Sequence, residues 1–205
     1  LEQIIFSSNY LSEVFVIDHS TSPFVAQGNT GGRYGTGGGF LYLWGNPANY
    51  DRGTEETRQL FAQHDVHWIP DGLPGAGNLM IFNNGSHPAR PYTTVVEIVP
   101  PMNEDGSYIL GEDGTFDATE IAWEYAPEGD EQFFSFFISG AQRRPNGNTL
   151  VNKGAGAHVR EVTPEGDIGW EYSYDDGEGA PHMFFRAYKY PKDHPAIQAI
   201  LRQAN

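Results

Sequence analysis

HWIPDG at residues 67–72 and QRRPNG at residues 142–147 decide the fold of this 205-residue chain. Each stretch is followed by an Asn and an apolar run, in GNLMIFNNG from Gly77 and in GNTLVNKGAG from Gly147. Because Pro, Asn, Asp and Gly favour tight turns, each stretch and its apolar run predict a β-hairpin. The chain therefore contains two copies of one hairpin, which indicates a repeat architecture.

Two further pairs of segments extend the repeat. VVEIVP at 95–100 matches HVREVTP at 158–164, and AWEYAP at 122–127 matches GWEYSY at 169–174. Each copy then holds four short β-prone runs, which is what a four-stranded antiparallel propeller blade requires. IIFSS, EVFVIDHS and FLYLWGNP predict the last three strands of an earlier copy, and HMFFRAYKYP at 182–191 predicts the beginning or closing strand of one more.

The sequence therefore predicts an all-β chain that contributes about three and a half blades to a β-propeller. We expect a single domain or propeller fragment over residues 1–205, with blade-like units near 1–45, 60–126 and 132–174 and a closing segment at 182–205. An incomplete ring leaves open sheet edges. We therefore expect the remainder of the propeller, or another chain, to pair with those edges.

Composition excludes several function classes. The net charge of −15 and the 12 Lys and Arg residues oppose a nucleic-acid partner, because binding to phosphates requires a basic surface. No apolar run approaches the roughly 20 residues that a membrane-spanning helix needs, so we expect no membrane span. The absence of cysteine excludes disulfides, thiolate nucleophiles and Cys-ligated metals. Any nucleophile must therefore be another residue type.

Several segments, in order and over nearly the whole chain, resemble the bacterial arylsulfotransferase family. They are FAQHDVHWIPDG (61–72), NLMIFNNG (78–85), FFISGAQRRPNGNTLV (136–151) and REVTPEGDIGWEY (160–172). The resemblance implies that this chain is the C-terminal part of a six-bladed propeller located in the periplasm or outside the cell. It also implies transfer of a sulfuryl group from an aryl sulfate to a phenol through a sulfohistidine, without a nucleotide cofactor. We expect no cofactor and no metal.

The resemblance places a catalytic histidine directly after the Gln of the first hairpin strand, which corresponds to His64. A neutral imidazole is nucleophilic near pH 7, and cationic neighbours stabilise the sulfuryl oxygens. On a regular strand His64 and His67 point to opposite faces, so both reach one face only if a bulge intervenes. The alternatives are that His67 takes the catalytic role, or that the histidine merely satisfies buried backbone at a strand end.

Five further residues complete the predicted site. The resemblance makes Arg90 a contact of the sulfuryl group, with a solvated loop arginine as the alternative. It also makes His158 comparable to the family's nucleophile, with a surface histidine at a strand start as the alternative. We expect His67, Asn84 and Arg143 to bind substrate, although Asn84 followed by Gly is first of all a signal for a hairpin turn.

Trp123 and Trp170 recur at the same place in the repeat. We interpret them as packing anchors between blades rather than as stacking platforms for substrate. Because one scaffold serves many functions, a second function class stays open beside the enzyme. It is a catalytically silent extracellular propeller that binds or assembles through its open sheet edges.

Overall fold

The computed structural model describes residues 2–112, 115–116, 120–129, 132–179 and 182–203. Within these ranges eleven strands form three antiparallel sheets, and helical structure is limited to short 3-10 turns and one α-helix. The prediction of a mostly β chain built from short antiparallel strands is confirmed. None of the described helices has the length and apolar character needed to cross a membrane.

The strands of each sheet are hydrogen-bonded in chain order. The first sheet contains β1 (Gln3–Ser8), β2 (Glu13–Asp18) and β3 (Phe40–Trp44). The second contains β4 (His64–Trp68), β5 (Leu79–Asn83), β6 (Thr94–Ile98) and β7 (Ile121–Tyr125). The third contains β8 (Gly140–Arg143), β9 (Thr149–Lys153), β10 (His158–Val162) and β11 (Ile168–Ser173). The 3-10 turns are Val25–Gln27, Pro47–Tyr50 and Glu55–Thr57, and helix α1 is Pro195–Gln203.

The three sheets pack face to face, which explains why the middle strands are apolar at almost every position. One buried cluster joins the first sheet to the second and includes Val14, Val16, Tyr42, Leu79, Ile81 and Ile98. A second cluster joins the second sheet to the third and includes Met80, Phe82, Val95, Tyr125, Val151 and Val162. Strands β5 and β6 contribute alternate residues to both clusters, so they are buried on both faces.

The two copies of the sequence repeat occupy corresponding strands. Strand β4 ends at the second residue of HWIPDG, and β8 ends at the second residue of QRRPNG. The tryptophans of the two WEY segments lie on β7 and β11. The register agrees, because His67 pairs with Met80 in the second sheet and Gln142 pairs with Leu150 in the third. The first sheet has three strands, against four in each of the other two.

Residues 182–190 lie against the third sheet. The backbone N–H of Phe184 donates to the carbonyl of Gly154 (3.1 Å), and that of Lys189 donates to Gln142 Oε1 (2.8 Å). The sequence AYKYP at 187–191 matches AQRRP at 141–145, at the end of β8. The segment therefore lies beside the third sheet in the way that β8 lies beside the second.

Candidate functional site

The first strand of the second sheet contains a β-bulge. His64 pairs with Phe82 and His67 pairs with Met80, so β4 has one extra residue between the two pairs. Asp65 lies in this bulge with φ +56°, in the left-handed region. Because Phe82 and Met80 are two residues apart on β5, their partners His64 and His67 share one face of the sheet. The arrangement that the sequence allowed only through a bulge is the one adopted.

The imidazole of His64 is held in one tautomer. Its Nδ1 lies 2.8 Å from Asn84 Oδ1 and 3.1 Å from the carbonyl of Ala62. Asn84 Nδ2 donates to the carbonyls of Ser135 (2.6 Å) and Ile138 (3.1 Å), which turns the amide oxygen toward the ring. Both neighbours of Nδ1 are acceptors, so Nδ1 carries the proton and the neutral ring keeps its lone pair on Nε2. No hydrogen bond to His64 Nε2 is found among the described residues.

The position of His64 recurs in the next two copies of the repeat. FAQH ends at His64 and FISG ends at Gly140, and the second residue of each, Ala62 and Ile138, has a left-handed φ of 53° and 49°. In the segment after the third sheet, the alignment of AYKYP with AQRRP puts Arg186 at the same position. His, Gly and Arg therefore occupy one structural position in three successive copies.

Arg186 and Asp65 meet at Gly140. Arg186 Nη1 lies 2.6 Å from Asp65 Oδ1 and donates to the carbonyl of Ser139 (2.6 Å). Asp65 Oδ2 accepts from the backbone N–H of Ala141 (2.9 Å). A Cβ on Gly140 would overlap both Asp65 Oδ2 and Arg186 Nη1, so the missing side chain leaves room for this ion pair. The pair connects the second sheet to the segment beyond the third.

His67 lies beside the same carboxylate. Its Nδ1 donates to the carbonyl of Asp65 (2.9 Å) and lies 3.9 Å from Asp65 Oδ1, so its lone pair is also on Nε2. Burial raises the pKa of the Asp65 carboxyl, and His67 and Arg186 oppose that rise. We call this group of residues the inner-strand cluster: His64, Asp65, His67, Asn84 and Arg186.

Three of the six residues predicted for the site belong to this cluster: His64, His67 and Asn84. Asn84 does begin the connection between the antiparallel strands β5 and β6, but this connection is a loop over residues 84–93 rather than a two-residue hairpin turn. Sequence reasoning missed Asp65 and Arg186. The AQRRP and AYKYP match was the available signal for Arg186, since it marks the position equivalent to β8.

Arg90 lies in the loop after β5. It donates to the carbonyl of Tyr92 (2.9 Å) and to Thr94 Oγ1 (3.0 Å), and its guanidinium carbon lies 4.1 Å from the centre of the Tyr92 ring. Burial lowers its pKa. Arg90 lines a cavity of about 340 Å³ together with Arg58 and Phe61. None of the contacts found in the described part of the chain joins Arg90 to the inner-strand cluster.

Arg143 and His158 also lie outside the cluster. Arg143 is 5% exposed, pairs with Glu97, and donates to the carbonyl of Gly147 (2.8 Å). His158 begins β10, where its Nε2 lies 3.2 Å from Glu171 Oε2. Burial lowers the pKa of His158, with a smaller contribution from the nearby Arg160. Substrate contact by Arg90, Arg143 or His158 stays a prediction.

One group of described side chains has the composition of a metal site. Ligand atoms of Asp175, Asp176 and His182 all lie within 4.8 Å of one another, and both aspartates are exposed. Asp176 Oδ1 and His182 Nε2 are 2.9 Å apart. Because the aspartates are exposed and each accepts a local backbone N–H, we interpret the group as part of a surface turn.

The chain matches no family model, and no curated protein sequence matches it. It is similar to the crystal structure of a protein of unknown function from Bacteroides caccae, at 14% sequence identity and a TM-score of 0.40. The match covers 85% of this chain and 43% of that one. The chain thus spans less than half the length of this structural neighbour.

Proposed function

We propose that this chain belongs to a β-propeller and transfers a sulfuryl group from an aryl sulfate to a phenol, in the periplasm or outside the cell. The resemblance of its repeated segments to arylsulfotransferases supports the reaction. The stacking of antiparallel sheets of up to four strands supports the ring architecture. One observation carries the proposal: Nδ1 of His64 is held by two acceptors, which leaves Nε2 as the nucleophilic atom.

The proposed reaction has two steps. In the first, the lone pair of His64 Nε2 attacks sulfur, the bond between sulfur and the aryl oxygen breaks, and the aryl group departs as a phenolate with that electron pair. In the second, the acceptor phenol releases its proton to solvent, its oxygen attacks sulfur, and the N–S bond breaks with its electron pair returning to Nε2, which restores the neutral imidazole. The reaction needs no nucleotide, because the donor ester itself supplies the sulfuryl group.

The other members of the inner-strand cluster have supporting roles in this proposal. Asn84 is a positioning residue, since it fixes the proton on Nδ1 and the orientation of the ring. Both polar contacts described for Arg186 use Nη1, and we assign the remaining edge of its guanidinium to the sulfuryl oxygens. His67 Nε2 is assigned to the aryl oxygen. The proposal does not depend on Arg90 or His158.

The test is turnover of 4-nitrophenyl sulfate with phenol as acceptor, followed by nitrophenolate release. We expect His64→Ala to lower kcat by at least about 10³-fold, because it removes the nucleophile. His19→Ala is the matched control, since His19 is exposed in the turn after β2, and it should leave kcat unchanged. Equal rates for wild type and His64→Ala would overturn the proposal.

A second candidate function is a catalytically silent module that binds or assembles through exposed sheet surfaces. Large apolar side chains at both ends of the sheet stack favour it, including Ile4, Phe6, Phe40, Trp170 and Tyr172, each more than 40% exposed. No turnover with any phenol, together with self-association or partner binding in solution, would favour this candidate over the enzyme.

A further inference from the structure

The outer face of the third sheet has the same construction as the covered face of the second. Trp123 and Tyr125 stack on the second sheet with ring centres 6.4 Å apart and an interplanar angle of 11°. Trp170 and Tyr172 stack on the third sheet at 6.4 Å and 10°. The third sheet packs over Tyr125, which is 3% exposed, whereas Tyr172 is 46% exposed.

The polar link between neighbouring units is also repeated. In the second sheet Glu97 accepts from Asn78 (2.6 Å) and pairs with Arg143 on β8. In the third sheet Glu161 accepts from Asn148 (3.0 Å) and pairs with Lys189 (2.6 Å). Arg143 and Lys189 occupy the same position in AQRRP and AYKYP. The segment that contains Lys189 therefore makes the contact with the third sheet that β8, the first strand of the third sheet, makes with the second sheet.

The rest of that face has no covering sheet among the described residues. A groove of about 630 Å³ lies between the third sheet and residues 187–189. Its apolar lining residues include Leu150, Val159, Trp170, Tyr172 and Tyr188. In the equivalent place on the second sheet, Trp123 Nε1 donates to the carbonyl of Pro164 (2.8 Å), at the turn between β10 and β11. The groove on the third sheet thus has the same features as the face of the second sheet that the third sheet covers.

The opposite end of the stack presents a complementary surface. On the outer face of the first sheet, Phe6 stacks on Phe15 with ring centres 5.1 Å apart, and Phe15 lies 4.9 Å from Phe40. The register adds Ile4, paired with Ile17, to this face. By position in the sheet, these residues correspond to the apolar residues through which the second sheet packs on the first and the third sheet packs on the second. The exposed apolar side chains on this face include Ile4, Phe6 and Phe40, each more than 40% exposed.

We propose that a second copy of this chain covers the groove, with the outer face of its first sheet packed on the outer face of the third. The contact continues the order in which the three sheets already stack, so it is head to tail. It closes into a ring of two copies or extends into longer assemblies. The inference deepens the assembly candidate and does not rest on sulfuryl transfer.

The test is the mass of the purified chain across a concentration series, by sedimentation equilibrium. We expect species at twice the single-chain mass of 22.7 kDa or above. Trp170→Glu should return the chain to one copy, because it buries an unpaired charge in the contact. Tyr10→Glu is the matched control: Tyr10 is 93% exposed in the turn between β1 and β2, and this change should leave the mass unaltered. Because each copy carries a net charge of −15, association should strengthen with added salt.

A mixing experiment tests the head-to-tail arrangement. The Phe6→Glu variant should also have the mass of one copy. A mixture of the Phe6→Glu and Trp170→Glu variants retains one intact pair of faces, so it should associate again. A mixture that stays single, a Trp170→Glu variant that still associates, or a wild type that remains at one copy at every concentration would overturn the inference. Failure here leaves the 4-nitrophenyl sulfate assay unaffected, so the two proposals fail independently.

Discussion

The first strands of the second and third sheets share a backbone plan but differ in chemistry. His64 on β4 pairs with Phe82, and Gly140 on β8 pairs with Asn152, which is the equivalent residue of β9. Strand β4 contains the extra residue Asp65, whereas no register shift interrupts β8. The repeat therefore folds with or without the histidine and the bulge, so the fold alone does not require them.

The same contrast extends to the end of the second strand of each sheet. Asn84 orients His64, and the equivalent residue in the third sheet is Gly154, where no imidazole needs a partner. Gly154 also has a steric reason, because a Cβ there would lie 2.7 Å from the carbonyl oxygen of Phe184. Histidine and asparagine thus occur together in one copy, and two glycines replace them in the other. This pairing is what a functional role for His64 and Asn84 predicts.

Replacing Asn84 by the residue of the third sheet should have the larger effect. We expect Asn84→Gly to lower kcat about 100-fold, because His64 Nδ1 loses an acceptor and the ring loses its fixed tautomer. The measurement is the pH profile of kcat, which a purely structural role would not move. Asn84→Asp should restore part of the rate and shift the acidic limb to higher pH, since a carboxylate stabilises the imidazolium. A wild-type profile in Asn84→Gly would contradict the assignment.

Removing the bulge carboxylate should have a smaller effect. We expect Asp65→Gly to lower kcat/KM about 10-fold, because Arg186 loses the partner that holds its guanidinium near the histidines. Glycine adopts the φ of +56° at this residue without strain, so any loss of stability should come from the ion pair with Arg186 and the hydrogen bond from the Ala141 N–H. Asp51→Gly is the matched control, because Asp51 is exposed and has φ +58°. An equal loss of kcat/KM in both variants would remove Asp65 from the site.

Local patterns predicted the hairpins, because the turn residues of HWIPDG and QRRPNG and the apolar runs after them act over a few residues. The same patterns identified His64 and Asn84 one at a time. Their contact depends on the loop before β8, because the carbonyls of Ser135 and Ile138 accept from Asn84 Nδ2 and turn its amide oxygen toward His64, and no spacing rule encodes that path. The bulge at Asp65 is a property of strand register, and register emerges only when β4 pairs with β5. Arg186 follows the whole third sheet in the chain and yet contacts Asp65 in the second sheet, so no local pattern links it to the site.

The most direct test of the central claim is to incubate the protein with 4-nitrophenyl sulfate in the absence of a phenol acceptor. The reaction is then quenched at alkaline pH, and the peptides are examined by mass spectrometry. We expect a burst of one nitrophenolate per chain and one sulfuryl group on the peptide that contains His64, with neither in His64→Ala. No burst, or a sulfuryl group on the His158 peptide instead, would contradict it.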